Sequence, residues 1–167
     1  MLILGDALSE RQFEQMTQDA VVIIPCEEGQ EDEFVRADPL LGNRSDQSGL
    51  FTVLSPMSAK GSEFGKVILY KYGDACPQGL FSSSGRDTAR VLEDEYFLNK
   101  LYVAITRAMK YLLIVDTPRG EEVLWRHTLS WERLDEVKER AKSEKWCGKL
   151  ACTHRVKHSD IALLETE

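Results

Sequence analysis

Short apolar runs alternate along the chain with segments in which apolar residues recur at helical spacing. Five runs are rich in Val, Ile, Leu or Tyr and are bounded by Gly, Pro or Asp: 2–4, 20–25, 50–55, 66–70 and 111–116. Runs of this length and composition predict β-strands. Their alternation with helical segments predicts an α/β fold with a largely parallel sheet.

Helical spacing also predicts the connections between the strands. Ser9 is suited to cap a helix that runs to about residue 18 and joins the first two strands as a βαβ unit. The longest predicted helix spans 88–109, and one apolar stripe of it is expected to face the sheet: Val91, Leu98, Leu101, Ile105 and Ala108. Further helices are predicted over 121–127 and 131–142, whereas 27–49 and 73–87 are predicted loops. Residues 146–167 have a weak pattern that predicts at most one more element.

The composition narrows the class of protein without identifying it. The chain has 167 residues, 43% hydrophobic and 29% charged, as in a folded globular domain. No apolar run approaches the roughly 18 residues that a membrane span needs, and the first residues lack the features of a secretory signal. We therefore expect a cytoplasmic protein with no membrane contact. The four cysteines have irregular spacing, which indicates reduced thiols. The net charge of -7 argues against a protein that coats nucleic acid non-specifically.

Two segments carry candidate chemistry, and both lie where a strand meets a loop or a helix. In 55–64, small residues allow a close backbone approach, Lys60 offers a cation and Glu63 offers acceptor oxygens. In 101–108, Arg107 lies off the predicted core stripe, and its planar guanidinium is suited to a phosphate. Each segment also has a simpler interpretation. The first is compatible with a solvated turn, and the second with a cation at a helix C-terminus.

Taken together, the two segments resemble motifs V and VI of the UvrD/Rep-type superfamily 1 DNA helicases. The matching runs are Ser-Ala-Lys-Gly-Ser-Glu-Phe at 58–64 and Tyr-Val-Ala-Ile-Thr-Arg-Ala at 102–108. The resemblance covers about residues 50–117. It implies a RecA-like parallel sheet flanked by helices, the second motor domain that lacks the P-loop. It further implies a RecA-like domain over 1–117, and we expect a helical extension over 118–167, packed on that domain or leading out of it.

The resemblance also implies roles for individual residues. Glu63 would accept a hydrogen bond from the ribose, Gly61 would give backbone access, and Lys60 would lie beside the nucleotide and the DNA. Arg107 would be the arginine finger that reaches the γ-phosphate of ATP. Ser55 and Met57 occupy positions that face single-stranded DNA in the family. ATP with Mg²⁺ would be held mainly by the missing N-terminal ATPase domain, which is the other implied partner, and the Mg²⁺ ligands would lie outside this chain.

Several features depart from the family pattern. Met57 stands where a His is usual, and Ser62 where a Leu is usual. The large accessory subdomain before motif V has only 27–49 available to it and is expected to be absent or vestigial. No Gly-x-x-x-x-Gly-Lys-Ser/Thr loop occurs in these residues, so we expect the chain alone to have no ATPase activity. An alternative function is a non-catalytic interaction or regulatory module built on a degenerate helicase domain.

The C-terminal part contains one further candidate constellation. Cys147, Cys152, His154 and His158 could in principle hold zinc, but their spacing matches no common finger, and ordinary packing or surface positions are the favoured interpretation. The same choice applies to Trp125, Trp131 and Trp146. They could stack on bases, but core or interface packing is the favoured interpretation.

Overall fold

A computed structural model shows a parallel sheet with helices on both faces. It describes residues 2–4, 10–42, 52–82, 87–128 and 155–156. Six strands lie in these ranges: β1 (Leu2–Leu4), β2 (Val21–Ile23), β3 (Thr52–Leu54), β4 (Phe64–Tyr70), β5 (Ala108–Asp116) and β6 (Arg155–Val156). Their order is β3-β2-β4-β5-β1-β6, and every pair is parallel. The predicted α/β fold with a parallel sheet is confirmed.

Helices connect the strands. They are α1 (Glu10–Thr17), α2 (Glu31–Ala37), α3 (Pro39–Gly42), α4 (Thr88–Ile105), α5 (Pro118–Gly120) and α6 (Arg126–Thr128), with a π-helical segment (Glu121–Trp125) between the last two. The predicted helix after Ser9 and the predicted helix at 121–127 are both confirmed, the latter within a longer helical run over 118–128. No helix among the described residues is long and apolar enough to cross a membrane.

The sheet separates two hydrophobic clusters, because successive strand residues point to opposite faces. On one face, α1 and α3 place Phe13, Met16 and Leu41 against Ile68 and Tyr70. On the other face, α4 and the turn after β3 pack against the strand residues Ile23, Val67 and Leu69. The helix contributes Phe97, Leu101 and Ala104 to this cluster, and the turn contributes Ala59. Both faces of β2 and β4 are therefore covered, as a central parallel strand requires.

The prediction of a loop over 27–49 holds for residues 27–30 and is wrong for residues 31–42. Residues 31–42 form α2 and α3, which meet at Asp38. Its Oδ1 accepts the backbone N–H groups of Leu40 and Leu41, and the carboxylate also accepts the hydroxyl of Tyr70 and the ammonium of Lys71. This buried cap ties α3 to the end of β4.

The predicted core stripe of the long helix is also wrong. Its buried face consists of Asp94, Phe97, Leu101 and Ala104. Of the five predicted residues only Leu101 is in this face; Leu98 is 44% exposed, and Val91 and Ile105 are exposed as well. Helix α4 also ends at Ile105, so that Arg107 lies in a turn and Ala108 begins β5. The buried residues also recur every three or four positions, but they lie on a neighbouring side of the helix from the predicted stripe.

The run over 118–128 packs against the carboxyl ends of β4 and β5. Leu124 and Trp125 are buried, which confirms core packing for Trp125. Its indole N–H donates to the buried carboxylate of Asp116 at 2.7 Å. The division at residue 117 stays a prediction. The predicted helix at 131–142, Trp131, Trp146 and the Cys147, Cys152, His154, His158 constellation lie outside the described residues.

Candidate nucleotide and nucleic-acid site

Arg107 lies in the turn between α4 and β5, and its guanidinium is docked on its own domain. Nε donates to the carbonyl oxygen of Val103 at 3.1 Å, Nη1 to that of Ser62 at 3.0 Å, and Nη2 to the hydroxyl of Thr106 at 3.1 Å. All three acceptors are neutral, and among the described residues Arg107 has no acidic partner. Because a guanidinium carries five N–H donors, two remain for another acceptor, and the positive charge is not neutralised.

Contacts of Arg107 bring the two sequence motifs together. Besides the side-chain bond to Ser62, the backbone N–H of Phe64 donates to the carbonyl oxygen of Arg107 at 2.8 Å. Phe64 and Ala108 face each other where β4 and β5 begin. The segment 60–63 and Arg107 therefore share the amino edge of the sheet, although about 45 residues separate them in the chain.

The segment 60–63 is exposed along its whole length. Gly61 has a φ of +84°, a left-handed conformation that favours glycine, and no atom lies within 4 Å of the position a Cβ would take. Lys60 and Glu63 make no hydrogen bond or ion pair with the residues that the structure describes. A cation, a carboxylate and an open backbone are thus available to a ligand at the side of Arg107.

The other predicted residues lie at the opposite edge of the sheet, after the carboxyl end of β3. Ser55 is fully buried, and its hydroxyl lies 2.8 Å from that of Ser58. Met57 is 43% exposed at the outside of the same turn. As the turn stands, Ser55 shapes the backbone, while Met57 and Ser58 are the side chains that solvent reaches.

A carboxylate that sequence reasoning missed holds this turn. Glu31 Oε1 accepts the Ser58 hydroxyl at 2.7 Å and the Ser55 N–H at 3.2 Å, and Oε2 accepts the Gly29 N–H at 2.7 Å. Partial burial alone would raise the pKa of Glu31, but the hydrogen bonds from Ser58 and Ser55 outweigh it and lower the pKa to about 2. Glu31 is therefore charged at every physiological pH.

A second carboxylate, Glu27, links the loop after β2 to the middle of α4. It accepts the hydroxyl of Tyr96 at 2.5 Å and pairs with the ammonium of Lys100 at 2.9 Å. The bond from Tyr96 and then that from Lys100 lower the pKa of Glu27, and the same contact raises the pKa of Tyr96. These bonds connect the loop after β2 to α4 at the surface, beside the buried face of the helix that packs on the sheet.

The two departures from the motif V pattern have different structural settings. Met57, which stands where the resemblance implies a polar His, is accessible and presents a thioether to solvent. Ser62 is exposed, and its contact with Arg107 is made by a backbone carbonyl, which any residue supplies. The Ser62 side chain therefore leaves no packing defect in the core.

Glu31 and Glu27 escaped detection because they fall in the segment predicted as a loop. The available signal was an acidic triplet, Glu31-Asp32-Glu33, before Phe34 and Val35, which is the composition of a first helical turn. Nothing in the local pattern indicates that the partners of Glu31 lie 24 and 27 residues away.

Comparisons with known proteins add one structural similarity. No family model matches the chain, and no curated protein matches it. A solved structure similar to it is the C-terminal domain of a possible DNA helicase from Lactobacillus plantarum WCFS1. The alignment covers 73% of this chain and 78% of that one, at 18% sequence identity and a TM-score of 0.40.

Proposed function

We propose that this chain is the second RecA-like motor domain of an ATP-dependent superfamily 1 DNA helicase or translocase of the UvrD/Rep type. The observation that carries the proposal is the junction of the two motifs, in which Arg107 is hydrogen-bonded to the carbonyl of Ser62 beside Gly61 and Glu63. One parallel α/β sheet thereby presents a free guanidinium charge, a carboxylate and an exposed glycine backbone at a single edge.

This edge fits one side of a nucleotide held by another domain. Two N–H donors of Arg107 are available to a γ-phosphate while the bonds to Val103 and Ser62 keep the side chain in place. A positioned guanidinium stabilises negative charge on a transferring phosphoryl group. Phosphate-cradling and Mg²⁺-holding residues would come from the ATPase domain of the parent protein, and the chain alone would not hydrolyse ATP.

Glu63 is the residue proposed to accept a hydrogen bond from the ribose. In a protein that includes the first motor domain, we expect Glu63→Ala to raise KM for ATP roughly tenfold with a smaller change in kcat, because a hydrogen bond to a charged group contributes about 1.5–3 kcal/mol. The effect should shrink when 2′-deoxy-ATP or 3′-deoxy-ATP is the substrate. If Glu63→Ala raises KM by the same factor for ATP and for both analogues, Glu63 does not contact the ribose.

Single-stranded DNA is the proposed polymer partner. Lys60 has no partner among the described residues and Met57 is accessible, so the backbone of a strand passing segment 57–60 would meet a cation and a soft apolar group. The overall charge of -7 is unfavourable to such binding, and the local cation must therefore dominate at close range.

Salt dependence tests the contact with DNA. For the parent protein and a single-stranded oligonucleotide, Lys60→Ala should lower the slope of log affinity against log salt by roughly 0.7, since one phosphate contact is lost. Lys110→Ala, which removes another exposed lysine in β5, is the matched control and should leave the slope unchanged. Equal slopes for Lys60→Ala and the unchanged protein would favour the alternative function, a non-catalytic interaction module.

A further inference from the structure

The hydroxyl of Thr106, the residue just before Arg107, is hydrogen-bonded to the helix on one side and to the guanidinium on the other. Thr106 is the C-cap of α4, and its hydroxyl lies 3.0 Å from the carbonyl oxygens of both Tyr102 and Val103. Nη2 of Arg107 donates to the same hydroxyl oxygen at 3.1 Å. Because a hydroxyl has a single hydrogen and the helix carbonyls take it, the oxygen can only accept from Arg107.

The Thr106 hydroxyl and the Val103 carbonyl form a pair of acceptors for two of the three guanidinium nitrogens. Their oxygens are 3.0 Å apart. Nε donates to Val103 and Nη2 to Thr106, both at 3.1 Å, while Nη1 donates to the Ser62 carbonyl on the other side of the turn. Each nitrogen of the guanidinium therefore has one acceptor of its own.

This arrangement determines which N–H groups of Arg107 remain for a ligand. A guanidinium has one hydrogen on Nε and two on each Nη, so one N–H remains on Nη1 and one on Nη2. A phosphate is bound most strongly when it accepts from two guanidinium nitrogens at once. Among the residues that the structure describes, Thr106 supplies the only acceptor for Nη2. Loss of its hydroxyl would release that nitrogen, while Nε and Nη1 would keep their acceptors.

The backbone at Arg107 is held without the Thr106 hydroxyl. The N–H of Arg107 donates to the carbonyl of Ala104 at 3.3 Å, and the carbonyl of Arg107 accepts the N–H of Phe64 at 2.8 Å. Thr106 is exposed, so the isosteric change Thr106→Val removes the hydroxyl without opening a cavity in the core. Such a change acts on the orientation of the guanidinium and leaves the turn in place.

We propose that Thr106 is a positioning residue for ATP hydrolysis: its hydroxyl orients the Arg107 guanidinium so that Nη1 and Nη2 together meet the γ-phosphate. The inference rests on the proposed function and adds a second residue to the phosphate side of that site. Threonine hydroxyls that bond only to the preceding helical turn are common. The bond from Nη2 of Arg107 is what distinguishes Thr106 from them.

Hydrolysis of ATP by the parent protein, saturated with single-stranded DNA, tests this role. Thr106→Val should lower kcat about tenfold, the effect of losing one hydrogen bond to a charged group, and Thr106→Ser, which keeps the hydroxyl, should retain most of the turnover. In the Arg107→Ala protein, Thr106→Val should change kcat less than about twofold, because Thr106 acts through Arg107. Thr88→Val is the matched control: Thr88 is exposed at the other end of α4. It lies about 27 Å from Thr106 at 1.5 Å per residue and should leave kcat unchanged.

The same measurements separate failure of this inference from failure of the proposed function. Near-normal turnover of the Arg107→Ala protein overturns the proposed function, and the role of Thr106 with it. If Arg107→Ala is impaired, three results overturn the role of Thr106 alone. They are normal turnover of Thr106→Val, turnover of Thr106→Ser as slow as that of Thr106→Val, and an equal effect of Thr106→Val with and without Arg107. The last would show that Thr106 only stabilises the end of the helix.

Discussion

At the scale of single residues, two charged side chains have opposite settings. Glu31 receives three hydrogen bonds, two from the backbone and one from a hydroxyl, so its negative charge is stabilised by groups of its own domain. Arg107 donates to three neutral oxygens, so its positive charge is held in place but not cancelled. The first arrangement stabilises a turn, whereas the second keeps a cation available for an anionic ligand.

The charge on Glu31 makes its contribution to stability depend on pH. Its pKa is lowered from 4.5 to about 2 in the folded chain, so the stabilisation is fully present above the unfolded value and is lost as the pH falls towards 2. Glu31→Gln removes this titration. We expect the melting temperature of the variant to lie below that of the unchanged chain at pH 6, with the gap closing between about pH 4.5 and 2. A gap that stays constant over this interval would contradict the assignment.

At the scale of elements, α4 has two apolar stripes, and only one of them packs on the sheet. The buried face contains Phe97, Leu101 and Ala104, and it also carries Asp94. Because of Asp94, the sequence of this face is less hydrophobic than that of the Val91–Ile105 stripe. The contacts of Glu27 with Tyr96 and Lys100 help to fix the orientation. Because those partners are about 70 residues apart, local periodicity could not decide between the stripes.

Substitution on the two flanks of α4 checks its orientation. Leu101 is 6% exposed, so Leu101→Ala should lower the free energy of unfolding by about 2–4 kcal/mol through lost burial and a cavity. Leu92, the same residue type on the same helix, is 61% exposed, and Leu92→Ala should change it by less than about 0.5 kcal/mol. Urea unfolding measures both values, and equal losses would contradict the observed orientation.

What the sequence predicts correctly is what local chemistry determines. All five predicted strands exist within a few residues of their predicted bounds, because β-branched and aliphatic runs ended by Gly, Pro or Asp leave little choice. Asp38 followed by Pro39 is typical of a helix start, but the pair lies in an acidic segment without clear periodicity. The role of Glu31 could not be predicted, since it arises only when β2 and β3 become neighbours.

At the scale of the whole molecule, the predicted site residues fall on two edges of one sheet. Gly61, Glu63 and Arg107 lie at or near the amino ends of β4 and β5, whereas Ser55 and Met57 follow the carboxyl end of β3. The crossover 55–63 joins the two edges directly, and its Ala59 is buried under α4. If a nucleotide displaced Arg107, the hydrogen bond to Ser62 would change, and the segment 55–63 would transmit the movement to the turn proposed to contact DNA.

Hydrolysis of ATP by the parent protein in the presence of single-stranded DNA is the decisive measurement. Arg107→Ala should lower kcat by about 10³-fold or more, as for other arginine fingers, with the melting temperature of this domain little changed. Arg119→Ala is the matched control: Arg119 is an exposed arginine in the run over 118–128, paired with Asp74 away from segment 60–63. It should retain normal turnover. Near-normal DNA-stimulated hydrolysis by the Arg107→Ala protein would contradict the proposed motor function.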